Sequence, residues 1–174
     1  IIVEIKDCKF REPFRDPLKA YDRIKRDYQN AIQLGYDQCR RVEKVLLNGK
    51  DVDILDADDK KKVLYHLKNG RIGKIWSIVV TDFKYGTIQT DLGNLLEKDE
   101  DALYPWSVCI DDLEAFFLLM KKILKGIAPS RFLEFLDYRK RLQEHVLCDD
   151  ELEICGWYLN DREQFKKYAN FPSK

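Results

Sequence analysis

The chain has 174 residues, of which 45% are apolar and 12% aromatic, and this composition suits a folded domain and excludes a disordered chain. Its 31 basic residues balance 31 acidic ones, so net charge gives no argument for non-specific nucleic-acid binding. Five scattered cysteines without a C-x-x-C pair, and only two histidines, argue against a disulfide framework and a zinc site. The same cysteine pattern predicts a reduced, cytoplasmic location. No apolar run approaches the roughly 18 residues that span a membrane, so we predict no membrane contact.

The chain begins with a strand whose two faces differ in polarity. Residues 1–6, IIVEIK, place isoleucine and valine at the odd positions, whereas Glu4 and Lys6 share the other face with Ile2. A carboxylate and an ammonium two residues apart are unusual on a strand this apolar. The pair is either an exposed strand face or part of a functional site.

A long amphipathic helix is predicted over residues 18–47. Apolar and small side chains recur at the helical period on one stripe, which contains Ile24, Tyr28, Ala31, Gly35, Gln38, Val42 and Val45. The Asn-Gly pair at 48–49 ends this helix. Residues 52–55 and 63–67 then predict two short strands around a turn rich in Asp and Lys, as in a hairpin.

The second half of the chain predicts two more strands and several helices. Residues 75–80 are a nearly continuous apolar run, typical of a strand buried on both faces, and residues 106–110 predict another strand. We expect Asp111 to cap the helix that follows. Later helices are predicted at 129–147, 151–159 and 162–168.

This order of elements predicts an α/β fold. We expect a small mixed sheet flanked by helices over residues 1–126, and a C-terminal helical extension over residues 127–174. No internal repeat or low-complexity segment interrupts the pattern. The sequence therefore predicts one α/β domain with a helical appendage.

Glu4 and Lys6 together suit one kind of chemistry. Hydrolysis of a phosphodiester uses a divalent cation to lower the pKa of the attacking water and to offset developing charge. Because Mg²⁺ keeps several waters, one or two protein carboxylates suffice to bind it. A lysine two residues along the strand points the same way and can hold the water or offset charge on the phosphate. The same spacing also occurs by chance on exposed strands.

Gln38 lies in the middle of the apolar stripe of the predicted helix. Ala31 and Gly35 on that stripe are small, so they allow the helix to approach a sheet closely and carry Gln38 towards it. A buried amide needs hydrogen-bond partners, and the strand with Glu4 and Lys6 offers them. Gln38 otherwise bonds a core backbone group or lies at the helix margin.

These residues resemble a family. A strand with E-I-K followed by a helix with Y-D-Q-C is similar to the PD-(D/E)xK nuclease superfamily, in its nuclease-related branch with a glutamine-bearing helix. The segments W-S-I-V-V-T and P-W-S-V-C-I-D-D-L-E resemble its later strands and following helix. The segments L-E-F-L-D-Y-R-K-R-L and D-E-L-E-I-C-G-W-Y-L resemble its C-terminal part, so the likeness covers roughly residues 1–160.

The resemblance implies a restriction-endonuclease-like core with Mg²⁺ or Mn²⁺ as its cofactor. Glu4 corresponds to a metal ligand, Lys6 to the catalytic lysine and Gln38 to the active-site glutamine. The family's other metal-binding Asp lies on the strand before E-x-K, and Asp7 and Asp16 do not match it. We therefore expect the chain to be the C-terminal part of a longer protein, and to be inactive or nearly so without that strand.

Basic residues on the long helix are candidates for a phosphate-binding flank. They are Lys19, Arg23, Arg26, Arg40 and Arg41. The alternative is a solvated helix face, balanced by neighbouring acidic residues.

The sequence thus predicts metal-dependent phosphodiester hydrolysis on nucleic acid, with DNA as the expected substrate, by the intact parent protein. A degenerate nuclease fold that binds nucleic acid or protein without catalysis is the alternative. A purely structural helical adaptor is a third interpretation, and homodimerisation stays open.

Overall fold

Three parallel strands form the centre of the fold. The structure is a computed structural model that describes residues 1–8, 16–68, 72–126, 128–143 and 145–171. Its strands are β1 (Ile2–Lys6), β2 (Val52–Leu55), β3 (Val63–Leu67), β4 (Ser77–Thr81) and β5 (Trp106–Cys109). Its α-helices are α1 (Pro17–Tyr28), α2 (Leu34–Leu47), α3 (Thr87–Thr90), α4 (Ile110–Ile123), α5 (Pro129–Arg139), α6 (Glu151–Asn160) and α7 (Arg162–Ala169). A π-helical turn, Gln29–Gln33, joins α1 to α2, and a 3₁₀ turn covers Leu92–Asn94.

The strands form one parallel sheet and one hairpin. β1 pairs with β4, with Glu4 opposite Val79 and Lys6 opposite Thr81. β4 pairs with β5 on its other side, which gives the strand order β1-β4-β5. β2 and β3 form a separate antiparallel hairpin. The prediction of an α/β fold with a small mixed set of strands and flanking helices is confirmed.

The helix α2 covers one face of β1 and β4. The π-helical turn before it contains one residue more per turn than an α-helix, so it rotates the stripe that faces the sheet. Ile32 within this turn, and Tyr36 and Cys39 after it, are buried. Val42 and Val45, which a constant helical period placed on the buried stripe, are 46% and 50% exposed, so that part of the prediction is wrong.

The main hydrophobic core lies on the other face of the sheet. Trp106 of β5 packs edge-on against Phe135 of α5, with ring centroids 5.1 Å apart. Phe116 of α4 and Phe165 of α7 belong to the same cluster, so the helix that directly follows β5 and the last helix of the chain share this core. A second cluster around the buried Tyr28 lies beneath α1 and α2.

Two predictions about the later helices are wrong. α4 begins at Ile110 with Cys109 as its N-cap residue, so Asp111 lies inside the first turn and caps nothing. α5 ends at Arg139, where a helix to residue 147 was expected. The chain turns there because Leu142 and Gln143 are buried, and the Gln143 side chain accepts a 2.9 Å hydrogen bond from the backbone of Leu92.

Composition also led to expectations about cysteines and membranes. All five cysteines are free thiols. Among the helices that the structure describes, none has the length and apolar character needed to cross a membrane.

Candidate functional site

The polar face of β1 is the covered one. The side chains of Glu4 and Lys6 are only 30% and 12% exposed, because α2 lies across them. The apolar face is the open one, with Val3 49% and Ile5 71% exposed. Glu4-Ile5-Lys6 is therefore not an exposed strand face with its charges in water. The strand turns its charged pair towards the protein.

Gly35 allows α2 to come this close to the sheet. A Cβ atom at this position would lie 2.6 Å from Cγ1 of Val79 and 3.5 Å from Cε of Lys6. The first distance is shorter than van der Waals contact, so any larger residue would push the helix away. The small residue in the helical stripe thus sets the distance between α2 and the strand that carries Glu4 and Lys6.

Gln38 lies one turn further along α2 and completes the cluster. Its side-chain Oε1 accepts a hydrogen bond from Nζ of Lys6. The same Nζ lies 3.5 Å from Oε1 of Glu4. Glu4, Lys6 and Gln38 therefore converge on one partly buried point, and these three residues are below called the E-K-Q cluster. This arrangement corresponds to one of the alternatives that the sequence left open for Gln38, and the chemical roles of the three residues stay predictions.

Cys39 is the buried neighbour of the E-K-Q cluster on α2. Burial, and to a lesser extent the negative charge of Glu4, raises the pKa of its thiol to about 11. The thiol is therefore neutral near pH 7 and is not an activated nucleophile. The polar chemistry available at this point comes from the carboxylate, the ammonium and the amide.

The E-K-Q cluster offers a divalent cation a small set of ligands. Within the part of the chain that the structure describes, no group of three or more His, Cys, Asp or Glu side chains could hold a metal. Glu4 is partly exposed, so one of its oxygens can reach a solvated ion. A single carboxylate fits Mg²⁺ or Mn²⁺ only with waters, a substrate phosphate or a further carboxylate completing the shell.

Comparisons with protein-family models, curated proteins and solved structures found no match to this chain. The resemblance to the nuclease superfamily therefore stays a prediction, and the support for it comes from the chain's own residues and their geometry.

The structure separates Arg40 from the other basic candidates. Its guanidinium is buried and binds Glu43 at 2.9 Å, Asp99 at 3.1 Å and Asp101 at 2.8 Å. The hydrogen bond to Glu43 is the largest of the causes that raise the pKa of Arg40. This arginine fastens α2 to the loop before β5, and its charge is already balanced.

The remaining basic candidates lie along α1 and α2. Lys19, Arg26 and Arg41 are exposed, and Arg23 is half-buried. Lys19 forms a loose ion pair with Asp16 at 3.8 Å. Among the described contacts, none that involves these side chains reaches the E-K-Q cluster, so a phosphate-binding flank beside the cluster stays a prediction.

Asp82 was not singled out from the sequence. It directly follows β4, and its backbone N–H donates a 3.2 Å hydrogen bond to the carbonyl of Lys6. With Asp7 it borders a cleft of about 220 Å³ at the carboxyl ends of β1 and β4, on the side of Ile5 and Ile110. Its position after a buried strand was the available signal, because the carboxyl ends of parallel strands meet at one edge.

Proposed function

We propose that this chain supplies the Glu4, Lys6 and Gln38 part of a site for metal-dependent hydrolysis of phosphodiester bonds in nucleic acid, with DNA as the first substrate to test. The observation that supports this most is the convergence of the three side chains. Lys6 bonds Gln38, which lies 32 residues away along the chain, and also approaches Glu4. The spacing alone could arise by chance, but the amide brought onto it by a second element is harder to attribute to chance.

Lys6 has the central role in this proposal. Its ammonium is held between a carboxylate and an amide oxygen, so its position is fixed before a substrate arrives. An ammonium placed this way can neutralise an oxygen of the scissile phosphate or orient the attacking water. Gln38 positions the ammonium, because its amide oxygen accepts a hydrogen bond from one of the three ammonium N–H groups.

Glu4 would hold the divalent cation. When bound, Mg²⁺ or Mn²⁺ lowers the pKa of a coordinated water and stabilises negative charge on the phosphate. Glu4 provides one oxygen ligand, and a restriction-endonuclease-like core would add a carboxylate from a neighbouring strand. β1 hydrogen-bonds to β4 on one side only within the described sheet, so its other side can accept such a strand.

A non-catalytic module is the second candidate. The observation in its favour is the thin ligand set, because the described residues contain no group of three potential metal ligands. In that case Glu4, Lys6 and Gln38 form a structural hydrogen-bonded cluster in a degenerate nuclease fold that binds nucleic acid or protein.

Cleavage by the full-length protein separates the two candidates. Labelled double-stranded DNA, single-stranded DNA and RNA would be incubated with Mg²⁺ or Mn²⁺ and with a chelator. We expect metal-dependent cleavage that falls by roughly 100-fold or more in Lys6→Ala, since general acid–base and electrostatic groups contribute on this order.

Lys121→Ala is the matched control, because Lys121 is an exposed lysine on α4. It should cleave like the wild type. Cleavage by Lys6→Ala at the wild-type rate would contradict the catalytic role of Lys6. Binding of nucleic acid without cleavage, by the wild type and by Lys6→Ala alike, would favour the non-catalytic module.

A further inference from the structure

The β2–β3 hairpin extends from the domain and shows apolar side chains to solvent. Residues 51–68, here called the hairpin arm, contact each other, and the arm makes no extensive contact with the other elements that the structure describes. A two-stranded hairpin is marginally stable in water unless another layer covers it. The arm follows α2 directly, and it takes no part in the E-K-Q cluster.

One face of the hairpin arm carries only apolar side chains, whereas the opposite face mixes exposed leucines with an aspartate and a histidine. Val52 pairs with Leu67 and Ile54 pairs with Tyr65, and side chains of directly paired residues lie on the same face. Ile54 and Tyr65 are 48% and 56% exposed, whereas Val52 and Leu67 near the base are half-buried. These four side chains are called the apolar face of the arm. Contiguous exposed apolar surface is uncommon in globular proteins, and where it occurs it marks an interaction site. The apolar face of the arm is therefore a candidate interaction surface.

Charges in the hairpin arm are segregated by strand. Residues 51–59 contain five aspartates and no basic residue, whereas residues 60–68 contain four lysines, one histidine and no acidic residue. Two polar contacts already cross the hairpin, an ion pair of Asp56 with Lys62 at 3.0 Å and a hydrogen bond between Asp53 and the His66 ring at 2.6 Å. At the tip, Asp58 and Lys60 are exposed and form no ion pair with a described residue. The arm is therefore an acidic strand and a basic strand beside each other.

This charge pattern selects one way of pairing two arms. Two identical arms can meet edge to edge, or face to face, around a two-fold axis. Edge-to-edge contact brings β2 beside β2, or β3 beside β3, so like charges meet. Face-to-face contact around an axis that lies between the two arms and runs perpendicular to the strands places β2 over β2 and β3 over β3, so like charges meet again. Only an axis parallel to the strands stacks the acidic β2 on the basic β3 of the other copy, with the two tips at the same end.

We propose that the apolar face of the hairpin arm binds the same face of a second copy of this chain, with the two arms stacked around a two-fold axis parallel to their strands. Ile54 and Tyr65 of both copies then fill a small apolar layer between two sheets, as in a β-sandwich. The Asp-rich half of each tip faces the Lys-rich half of the other. The contact is small, so we expect a dimer with a dissociation constant in the micromolar range. The proposal does not depend on the proposed nuclease function.

Sedimentation velocity of the full chain over a concentration series gives the first test. The wild type should form a dimer by about 100 µM, and Ile54→Asp should raise the dissociation constant at least tenfold, since it buries a charge in the apolar layer. Leu118→Asp is the control, because Leu118 is 60% exposed on α4 and lies outside the arm. A wild type that stays monomeric, or a control that dissociates as much as Ile54→Asp, would overturn the proposal.

A charge exchange at the tip tests the arrangement without relying on the apolar face. Lys60→Glu/Lys61→Glu makes both halves of the tip acidic, whereas Ala57→Lys/Asp58→Lys brings the acidic half to zero net charge and so makes the tip as a whole basic. Both pairs of positions are exposed, and the ion pair of Asp56 with Lys62 is kept. Each variant alone should dimerise roughly tenfold more weakly than the wild type.

Mixing the two tip variants gives the decisive result. The mixture should form a heterodimer at least as tight as the wild-type dimer, because every acidic tip then meets a basic one. Circular dichroism that matches the wild type would show that both variants fold. Failure of the folded variants to form this heterodimer would overturn the two-fold arrangement and assign the apolar face to a different partner.

Discussion

At the scale of single residues, the position of Gln38 depends on Gly35. Both lie on α2, and at Gly35 the helix backbone comes so close to β4 that a Cβ would lie 2.6 Å from Cγ1 of Val79. The distance between α2 and β1 decides whether the Gln38 amide can reach the ammonium of Lys6. A glycine that has no catalytic atom is thus part of the geometry of the E-K-Q cluster.

Gly35→Ala should reduce stability by about 1–3 kcal/mol, because the added methyl group would lie 2.6 Å from Cγ1 of Val79 and force α2 outward. Chemical denaturation would measure the loss in the free energy of unfolding.

Gly156→Ala is the matched control for this change. Gly156 lies in α6, and a Cβ there meets nothing within 4 Å. It should be neutral or stabilise the protein by up to about 1 kcal/mol, because alanine favours the helix. A Gly35→Ala variant that is as stable as the wild type, or is stabilised like Gly156→Ala, would show that helix propensity, and not the close approach to Val79, governs position 35.

The sequence allowed prediction of the E-K-Q cluster because each member carries a local signal. Glu4 and Lys6 follow from the alternation of one strand, and Gln38 follows from its place on a helical stripe. The role of Arg40 had no such signal. Two of its carboxylate partners, Asp99 and Asp101, lie 59 and 61 residues away along the chain, so a periodic pattern in the helix could not reveal them.

At the scale of elements, α5 and α7 are joined by an ion pair with two hydrogen bonds. Glu134 of α5 accepts hydrogen bonds from Nε of Arg162 at 2.6 Å and from its Nη2 at 2.5 Å. The Tyr158 hydroxyl of α6 donates a third, at 2.9 Å. The hydrogen bonds from Arg162 are the main cause that lowers the pKa of Glu134 from 4.5 to about 2.

This shift gives a pH dependence with a definite sign. A carboxylate whose pKa is lower in the folded state stabilises that state above its unfolded pKa, and this contribution is lost as the pH falls through the folded value. Glu134→Gln should therefore cost about 1–3 kcal/mol at neutral pH. The variant should also lose less stability than the wild type between about pH 4.5 and about pH 2.

Denaturation at a series of pH values checks this expectation, with Glu163→Gln as the control. The Glu163 side chain is 79% exposed, so its replacement should change stability little at any pH. A Glu134→Gln curve that runs parallel to the wild type through the acid range would contradict the assignment.

Element bounds were predictable where turn signals are local. The hairpin strands lie at the positions that the Asp and Lys turn indicated, and α6 and α7 agree with the prediction to within one residue. The end of α5 was not predictable in this way. Its sequence continues to suit a helix after Arg139, and the chain turns because tertiary contacts bury Leu142 and Gln143.

At the scale of the whole molecule, a buried ion pair connects the C-terminal helices to the sheet. Arg139 and Glu151 are 1% and 3% exposed, with Nε and Oε1 2.7 Å apart. Glu151 also accepts a 2.6 Å hydrogen bond from the indole of Trp106 on β5. Arg139 donates to the backbone carbonyl of Thr90 at 2.6 Å. One pair thereby links α5, α6, α3 and the sheet.

Glu151→Ala should destabilise the protein by about 3–5 kcal/mol, because it leaves a buried guanidinium without its counter-charge. The double variant Arg139→Met/Glu151→Leu should be more stable than this single variant, since it removes both charges. Thermal and chemical denaturation would measure both effects.

Lys74→Ala provides the comparison for an exposed ion pair. Lys74 binds Asp137 at 3.0 Å with a side chain that is 62% exposed, so its loss should cost less than about 1 kcal/mol. A double variant that is less stable than Glu151→Ala would refute this account of the buried pair.

We propose that Glu4 and Lys6 have separate roles in metal-dependent cleavage. The single-turnover rate of DNA cleavage by the full-length protein, measured over a Mn²⁺ concentration series for the wild type, Glu4→Gln and Lys6→Ala, distinguishes these roles. We predict that Glu4→Gln needs at least tenfold more Mn²⁺ to reach half its maximal rate, because it removes the carboxylate ligand. Lys6→Ala should cleave roughly 100-fold or more slowly even at saturating Mn²⁺. Rates for both variants that match the wild type at every Mn²⁺ concentration would contradict the proposal.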